Sequence, residues 1–311
     1  MSISVILPAH NAARWVEAAL RSVAEQTRPP DEIIVINDRS SDDTAERVAA
    51  TGLASRILTT DYGNGAAARN EGIRAAQGDW IAFQDADDVW YPNHLERAEE
   101  LLAGTSDVGY LSFSHEFLDD ADETVLYREN PWPILEPTSG IDYRRFPELV
   151  LIRVNFAMPT VVVRRDVLMD VGLLDPQQVR RHDIDMWLRV IAGHTWAYDP
   201  EATVRFRINT PGAISRNEAE REYYWFRAIW KNREGYRIPA MDRLVALAAR
   251  RAVSAAYTGG NDEQRRRTLE IAREHLSPRD RLLFGAFSLA PGAFRAANRF
   301  RRRWRGLRSL R

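Results

Sequence analysis

The chain has 311 residues, 45% of them hydrophobic and 28% charged, which sets a prior of about two domains and excludes disordered and fibrous classes. It contains no cysteine, so disulfide scaffolds, cysteine–zinc sites, iron–sulfur clusters and thiol nucleophiles are excluded too. The net charge of -1 hides an asymmetry: Ser277 to Arg311 holds ten arginines and one acid, so this tail carries +9 and the remainder -10.

The opening residues Met1 to Pro8 have no basic leader and no long apolar stretch, and read as a first strand rather than a signal peptide. No apolar run approaches the ~18 residues of a spanning helix. Ile3–Leu7 is an apolar run stopped by Pro8. Asn11 is placed to cap a following helix in which Trp15, Ala19 and Val23 recur at a spacing of four. Glu32–Ile36 is a β-branched run suited to a buried parallel strand. Ser40 to Thr44 opens a second helix with acids at its positive end, and Gly52 closes it. Arg56–Thr59 is a third strand, Gly63-Asn-Gly65 a loop, and Ala66–Ala76 a helix. Trp80–Phe83 is a fourth strand that runs into Asp85-Ala-Asp-Asp88. Strands alternating with helices of this length predict βαβ units and a mostly parallel sheet.

Further on, Val108–Ser114 and Thr160–Val163 read as strands, and Asp119–Pro147, polar and proline-bearing, as a loop or lid. Asp183–Ile191 is a helix. Trp196–Tyr198 and Ala202–Arg207 are two strands. From Ala219 the pattern is helical, with one helix ended by Gly259-Gly260 and the next capped by Asn261.

Three carboxylates within the four residues of Asp85-Ala-Asp-Asp88 repel one another unless a cation or partner neutralises them. They follow an apolar strand, and ligands of open parallel sheets bind at the carboxyl ends of strands. Hard oxygen ligands there suit Mg²⁺ or Mn²⁺ bridging phosphates; a solvated acidic turn capping a helix from Tyr91 is the alternative. Asp38 follows Glu32–Asn37 at the same edge and could accept hydrogen bonds from ribose hydroxyls or a base, or cap the Ser40 helix. Arg69 could pair with phosphate or with Asp85, or lie on a solvated helix face. Asp183 suits a general base if it faces a cleft, or serves the helix dipole. Asp185 and Arg189, four apart, form a structural ion pair.

In order and spacing these segments resemble the family 2 glycosyltransferases. The resemblance rests on Ser4-Val-Ile-Leu-Pro-Ala-His-Asn11, Glu32 to Thr44, Gly65-Ala-Ala-Ala-Arg-Asn-Glu-Gly72, Gly78 to Asp88, Val161–Asp175 and His182–Arg189, and covers roughly residues 3–210. It implies an α/β GT-A fold, a Rossmann-like mostly parallel sheet flanked by helices. A GT-A domain over 1–210, with a nucleotide-binding half (1–105) and an acceptor half (106–210), precedes a C-terminal helical region over 211–311. It implies that Pro8, Ala9 and Asn11, with Asp38, hold a uracil or thymine base, and that Arg69 lies beside the nucleotide. Asp85, with Ala86 next to it, contacts ribose or metal, Asp87 ligates a divalent cation, and Asp183 is the catalytic base. The reaction implied is inverting transfer of a sugar, hexosyltransferase-like, from a UDP- or dTDP-sugar to a glycan or lipid-linked acceptor.

The chain departs from the family pattern in three places. His182 stands where Glu usually precedes the catalytic Asp, Asn37 where a second Asp is common, and Asn209 where many relatives place a His near the metal or phosphates. The departures at His182 and Asn209 keep open a catalytically silent nucleotide-sugar-binding or scaffold protein, which donor hydrolysis would separate from an enzyme.

Drawn as a helix, Pro291–Arg311 places Ala297, Phe300, Trp304 and Leu307 within a ~80° arc, with arginines broadly opposite. Together with Leu282–Ala290 this segment suggests an anionic membrane surface and a peripheral place on the cytoplasmic face; packing on the acidic body is the alternative. Nucleic acid is a poorer partner, because the acidic body repels it.

Overall fold

A computed structural model describes residues 1–103, 108–121, 123–129, 157–208, 210, 217–236 and 241–289. The chain forms two compact units, Met1–Gly212 and Ala213–Arg311.

The first unit is built on a nine-stranded mixed sheet among the described residues. Its strands are β1 (Ile3–Ala9), β2 (Glu32–Asp38), β3 (Arg56–Thr60), β4 (Trp80–Phe83), β5 (Val89–Trp90), β6 (Val108–Asp119), β7 (Val125–Glu129), β8 (Val161–Arg164) and β9 (Thr195–Ile208). The order is β3-β2-β1-β4-β8-β6-β9-β5, with β7 on β6. The block β3-β2-β1-β4 is parallel; β8 joins β4 and β6 antiparallel, and β6 pairs β9 parallel. Because β1 lies between β2 and β4, the order reverses there, and the carboxyl ends of all three strands open onto one edge.

Side chains of alternate sign along these strands feed two cores. Ile6, Ile34, Ile36, Ile81 and Phe83 face one side with helices α3 (Gly65–Ala75) and α6 (His182–Gly193). Val5, Leu7, Val35 and Ala82 face the other with α1 (Val16–Ala24) and α4 (His94–Ala103). Burial on both faces explains the continuous apolar runs, which carry no polar alternation. Helices α2 (Thr44–Thr51) and α5 (Arg165–Asp170) complete the unit. Gly72 of α3 lets that helix sit close: a Cβ there would stand 2.7 Å from Ile6 and 2.8 Å from Ile36.

Several local expectations change. Pro8 does not stop β1, which continues through Pro8 to Ala9, opposite Ile36 and Asn37 of β2. Asn11 does not cap α1, which begins at Val16 behind Trp15 with no side-chain cap. No helix starts at Tyr91; β5 intervenes and α4 starts at His94. The two strands expected over 196–207 are one, with Asp199 opposite Phe113 and Ala202 opposite Ser114, so Pro200 and Glu201 bulge out of the pairing. Within the expected loop Asp119–Pro147, Val125–Glu129 is a strand; the lid reading from 130 onward lies outside the described residues.

The second unit is helical: α7 (Glu218–Asn232), α8 (Met241–Gly259), α9 (Asp262–Ala272) and α10 (Pro278–Leu289). Asn261 caps α9 in a reciprocal capping box with Gln264, as its sequence predicts. Phe284 of α10 is buried and stacks on Tyr257, ring centroids 5.8 Å apart, whereas Leu282 is 78% exposed. The basic amphipathic segment with Ala297, Phe300, Trp304 and Leu307 lies outside the described residues, as does Asn209.

Candidate active site

Asp38 ends β2 with its side chain buried. Its carboxylate accepts hydrogen bonds from Thr60 Oγ1 (3.0 Å) and from the backbone N–H groups of Tyr62 (2.7 Å), Gly63 (3.2 Å) and Asn64 (2.9 Å). It therefore fixes the loop between β3 and α3 rather than capping the Ser40 helix. Asn64, held by that loop, caps α3 by accepting from Ala66 and Ala67. Asn11 adopts φ +47° and binds the neighbouring loop, accepting from the Ser41 N–H at 2.8 Å. His10 Nδ1 meets the Asp38 carbonyl at 2.7 Å. Pro8, Ala9, Asn11 and Asp38 thus lie together at the carboxyl edge of β1 and β2.

The acidic loop follows β4 at the same edge. Gln84 N–H bonds the Ile6 carbonyl at 3.0 Å, and its side-chain amide donates to the Asp88 carbonyl at 2.6 Å. Asp88 N–H closes the turn on the Asp85 carbonyl at 3.2 Å. Asp85 pairs with the Arg69 guanidinium. The same guanidinium donates to the Gly65 carbonyl at 3.0 Å and to His182 Nε2 at 3.3 Å. Burial, and then the nearby Asp85 charge, push the Asp87 carboxyl up to about 6. Asp88 is fully buried and held well above the usual carboxylate range by that burial and by Asp87 and Asp85. One of its oxygens accepts from the Arg207 N–H at 2.7 Å; the other has no hydrogen-bond partner among the described residues.

Helix α6 reaches this edge because α3 grips the segment before it. Asn70 both donates to the Leu174 carbonyl (2.8 Å) and accepts its N–H (3.0 Å), and Asn64 donates to the Pro176 carbonyl (2.9 Å). Arg181, at φ +56°, turns the chain into α6, whose first turn carries His182 and Asp183. Burial raises the Asp183 carboxyl, offset mainly by Arg181. Burial, reinforced by Arg69, lowers His182 to about 3, so its imidazole is neutral and Nε2 is the acceptor for Arg69. Asp185 and Arg189 form the expected structural pair at 3.1 Å, and Arg189 ties back to the carbonyls of Val171 and Leu173.

The geometry thus joins Arg69, Asp85 and His182 directly, with Asp183 next in the chain to His182. Among the described residues no group of three or more His, Asp or Glu side chains gathers around one metal position. The Asp85 and Asp87 carboxylates nonetheless suit a hard divalent cation that takes one or two carboxylates plus phosphate and water. The crowded, under-compensated charge of Asp87 and Asp88 fits the same ion. The sequence alone points to no role for Asp120, and to none for Arg207 beyond ending a strand two residues before Asn209.

A family model described as glycosyl transferase family 2 matches residues 4–170. An uncharacterized glycosyltransferase of Nostoc sp. is 34% identical over 168 residues, 47% of this chain and 51% of that protein. The Escherichia coli protein WfgD, a UDP-Glc:alpha-D-GlcNAc-diphosphoundecaprenol beta-1,3-glucosyltransferase, is 33% identical over 120 residues, 38% of this chain and 47% of its own. The chain thus spans about half the length of these two relatives. Staphylococcus aureus TarS 1-349 in complex with UDP-GlcNAc superposes with a TM-score of 0.70 at 17% identity, over 96% of this chain and 92% of that one. The likeness in fold to that structure covers nearly the whole chain.

Proposed function

The chain belongs to glycosyl transferase family 2, and on that premise we propose that it moves a sugar, with inversion, from a UDP- or dTDP-sugar to a hydroxyl of a glycan or lipid-linked acceptor. The observation that carries this reading is the Asp85–Arg69–His182 bridge, which joins the acidic loop to the start of the helix bearing Asp183. Asp85, Arg69 and the Asp38 edge bind and orient the donor. Asp183 takes the proton from the acceptor oxygen as that oxygen attacks C1, and the bond from C1 to the diphosphate breaks on the opposite face. A burial-raised carboxyl is a better proton acceptor than an exposed one. Asp87 and Asp85 would hold a divalent cation, which when bound would supply charge stabilisation for the diphosphate.

Support for the donor and acceptor classes comes from the relatives. WfgD is named for a UDP-sugar donor and a diphosphoundecaprenol acceptor. A relative 28% identical, AmsB of Erwinia amylovora, is named for amylovoran biosynthesis. For the cation, the mannosyltransferase PcManGT of Pyrobaculum calidifontis, TM-score 0.58, was solved with GDP-Man and Mn²⁺. We also place the protein peripherally on the cytoplasmic face of a membrane. The exposed Leu282 and Leu283, beside Arg279 and Arg281, support an anionic lipid surface as partner. Within the described residues no helix is long and apolar enough to cross a membrane. Incubating purified protein with a panel of nucleotide sugars, and measuring released diphosphate and the anomeric configuration of any product, tests the reading. Release from no donor would leave a silent binding protein.

A further inference from the structure

Arg207 lies near the end of β9 with only 4% of its side chain exposed. Its backbone N–H holds one Asp88 oxygen at 2.7 Å, and its Nε donates to the Asp87 carbonyl at 2.9 Å. Its terminal nitrogen is 3.5 Å from both Asp120 and Glu123, which lie between β6 and β7. Asp120 is as buried as Arg207, at 5%. It accepts from Trp15 Nε1 at 2.8 Å and pairs with Arg14 at 3.0 Å, just before α1. Asp120 N–H also bonds the Ile208 carbonyl at 3.2 Å. One guanidinium and one carboxylate therefore tie together three loops, at positions 14–15, 87–88 and 120–123.

We propose that Arg207 is a positioning residue, which, anchored by Asp120, holds the acidic loop in the conformation that receives the cation-bound diphosphate of the donor. The inference rests on the donor reading above. Its physical basis is the direction of the Nε contact. By fixing the Asp87 carbonyl, it fixes the peptide plane from which the Asp87 side chain departs. Among the described residues, the other hydrogen bonds to the loop's backbone between Asp85 and Asp88 come from Gln84 and from within the turn. The Asp88 side chain is tied only on one oxygen, by the Arg207 backbone N–H; its other oxygen has no hydrogen-bond partner among the described residues. The carboxylates of Asp120 and Glu123 stand 3.5 Å from this guanidinium, and its charge also acts on those of Asp87 and Asp88, so its removal leaves the loop with unbalanced like charge. Arg207 touches no donor atom in this scheme. It acts through the loop, as outer-shell partners of metal ligands do.

The test uses the full chain and three variants, Arg207→Gln, Arg207→Lys and Asp120→Asn. Mn²⁺ affinity is measured by electron paramagnetic resonance without donor, and UDP binding by calorimetry with and without Mn²⁺. Circular dichroism and thermal melting check the fold. Arg207→Gln is expected to weaken Mn²⁺ and Mn²⁺-dependent UDP binding about 10–100-fold, the usual cost of losing an outer-shell contact. Arg207→Lys keeps the charge but not the Nε geometry, and is expected to recover only part of the loss. Asp120→Asn should weaken binding in the same direction by a smaller factor. Saturating Mn²⁺ should restore much of the turnover of Arg207→Gln, giving a shift in the Mn²⁺ requirement larger than the loss in kcat. Should Arg207→Gln fail to fold, Trp15→Phe, which removes the Nε1 donor to Asp120, takes its place beside Asp120→Asn. Folded variants that bind Mn²⁺ and UDP as the wild type does overturn the clamp while leaving the donor reading intact. A wild type that binds no UDP with or without Mn²⁺ overturns the donor reading and the clamp with it.

Discussion

Arg69 donates to His182 Nε2 at 3.3 Å while its other terminal nitrogen pairs with Asp85, so one buried guanidinium spans from the loop after β4 to the first turn of α6. The imidazole is the neutral end of this bridge and the carboxylate the charged end. Arg69 thus retains more of its positive charge toward a phosphate than it would between two carboxylates.

The bridge makes His182 a test case. His182→Leu removes the acceptor, and about a 10-fold loss of turnover is expected as the start of α6 loosens from Arg69. His182→Gln keeps an acceptor and should recover most of that loss. Steady-state kinetics on both variants decide the matter; equal activity in the leucine variant would make His182 a spacer only.

Asp183→Asn should leave UDP binding nearly intact and lower transfer by roughly 10²–10⁴-fold, the usual cost of losing a general base. Calorimetry and turnover on the same preparation check both halves. Wild-type turnover would reduce Asp183 to a helix-start acid.

Metal dependence follows from the acidic loop. Asp87→Ala should abolish the Mn²⁺-stimulated part of UDP binding, and EDTA should do the same to the wild type. Binding of UDP that is equal in EDTA and Mn²⁺ would remove the cation from the scheme.

A pH effect is expected outside the site. His94 is fully buried, packs with tilted rings against Trp90 and Phe113, and is lowered to about 3 by burial alone. The unfolded chain takes up a proton near pH 6.5, whereas folded His94 does so only near 3. Its share of stability is therefore full above pH 6.5 and falls by up to about 1.4 kcal/mol per unit below it. His94→Gln, which can still meet Thr203, should flatten the loss of stability between pH 6.5 and 5 in denaturant titrations. An unchanged slope would place the acid sensitivity elsewhere.

Truncation and vesicle binding test the membrane reading. Cutting at Leu282 would remove Phe284 from its stack on Tyr257, so a deletion of residues 290–311 and the exposed-face variant Leu282→Asp are the better pair. Each should reduce co-sedimentation with anionic vesicles, the deletion more, and both should keep UDP binding. Full-length protein that ignores such vesicles would refute the proposed surface.

Much of the sheet was legible because its strands are buried on both faces and carry unbroken apolar runs. Ile3–Leu7, Glu32–Ile36 and Trp80–Phe83 all appear inside observed strands. The acidic loop was legible because three carboxylates after an apolar strand need a reason. Asn11 was misread because its partner, Ser41, is thirty positions away and nothing in the local sequence distinguishes a loop tie from a helix cap. Asp199-Pro200 looked like a strand end; a proline can also sit in a bulge, and the pairing with β6 resumes at Ala202. Arg207 was missed because an arginine on a strand has no local signature when the groups it meets are at positions 87, 88, 120 and 123.

Three of the four donors on Asp38 are main-chain N–H groups, and Asn70 grips Leu174 through main-chain atoms on both sides. Main-chain partners are present at any residue type except proline, which lacks the N–H. The identities that matter for these joints are therefore Asp38 and Asn70, while Tyr62 and Leu174 can drift without breaking them. A chimera that imports a foreign sequence over 171–176 keeps the joint to α3, whereas one that imports a foreign α3 without an asparagine at position 70 loses it. The seam along which this protein tolerates exchange thus follows its hydrogen-bonding chemistry, and recombination libraries built on it should place their crossovers on the 171–176 side.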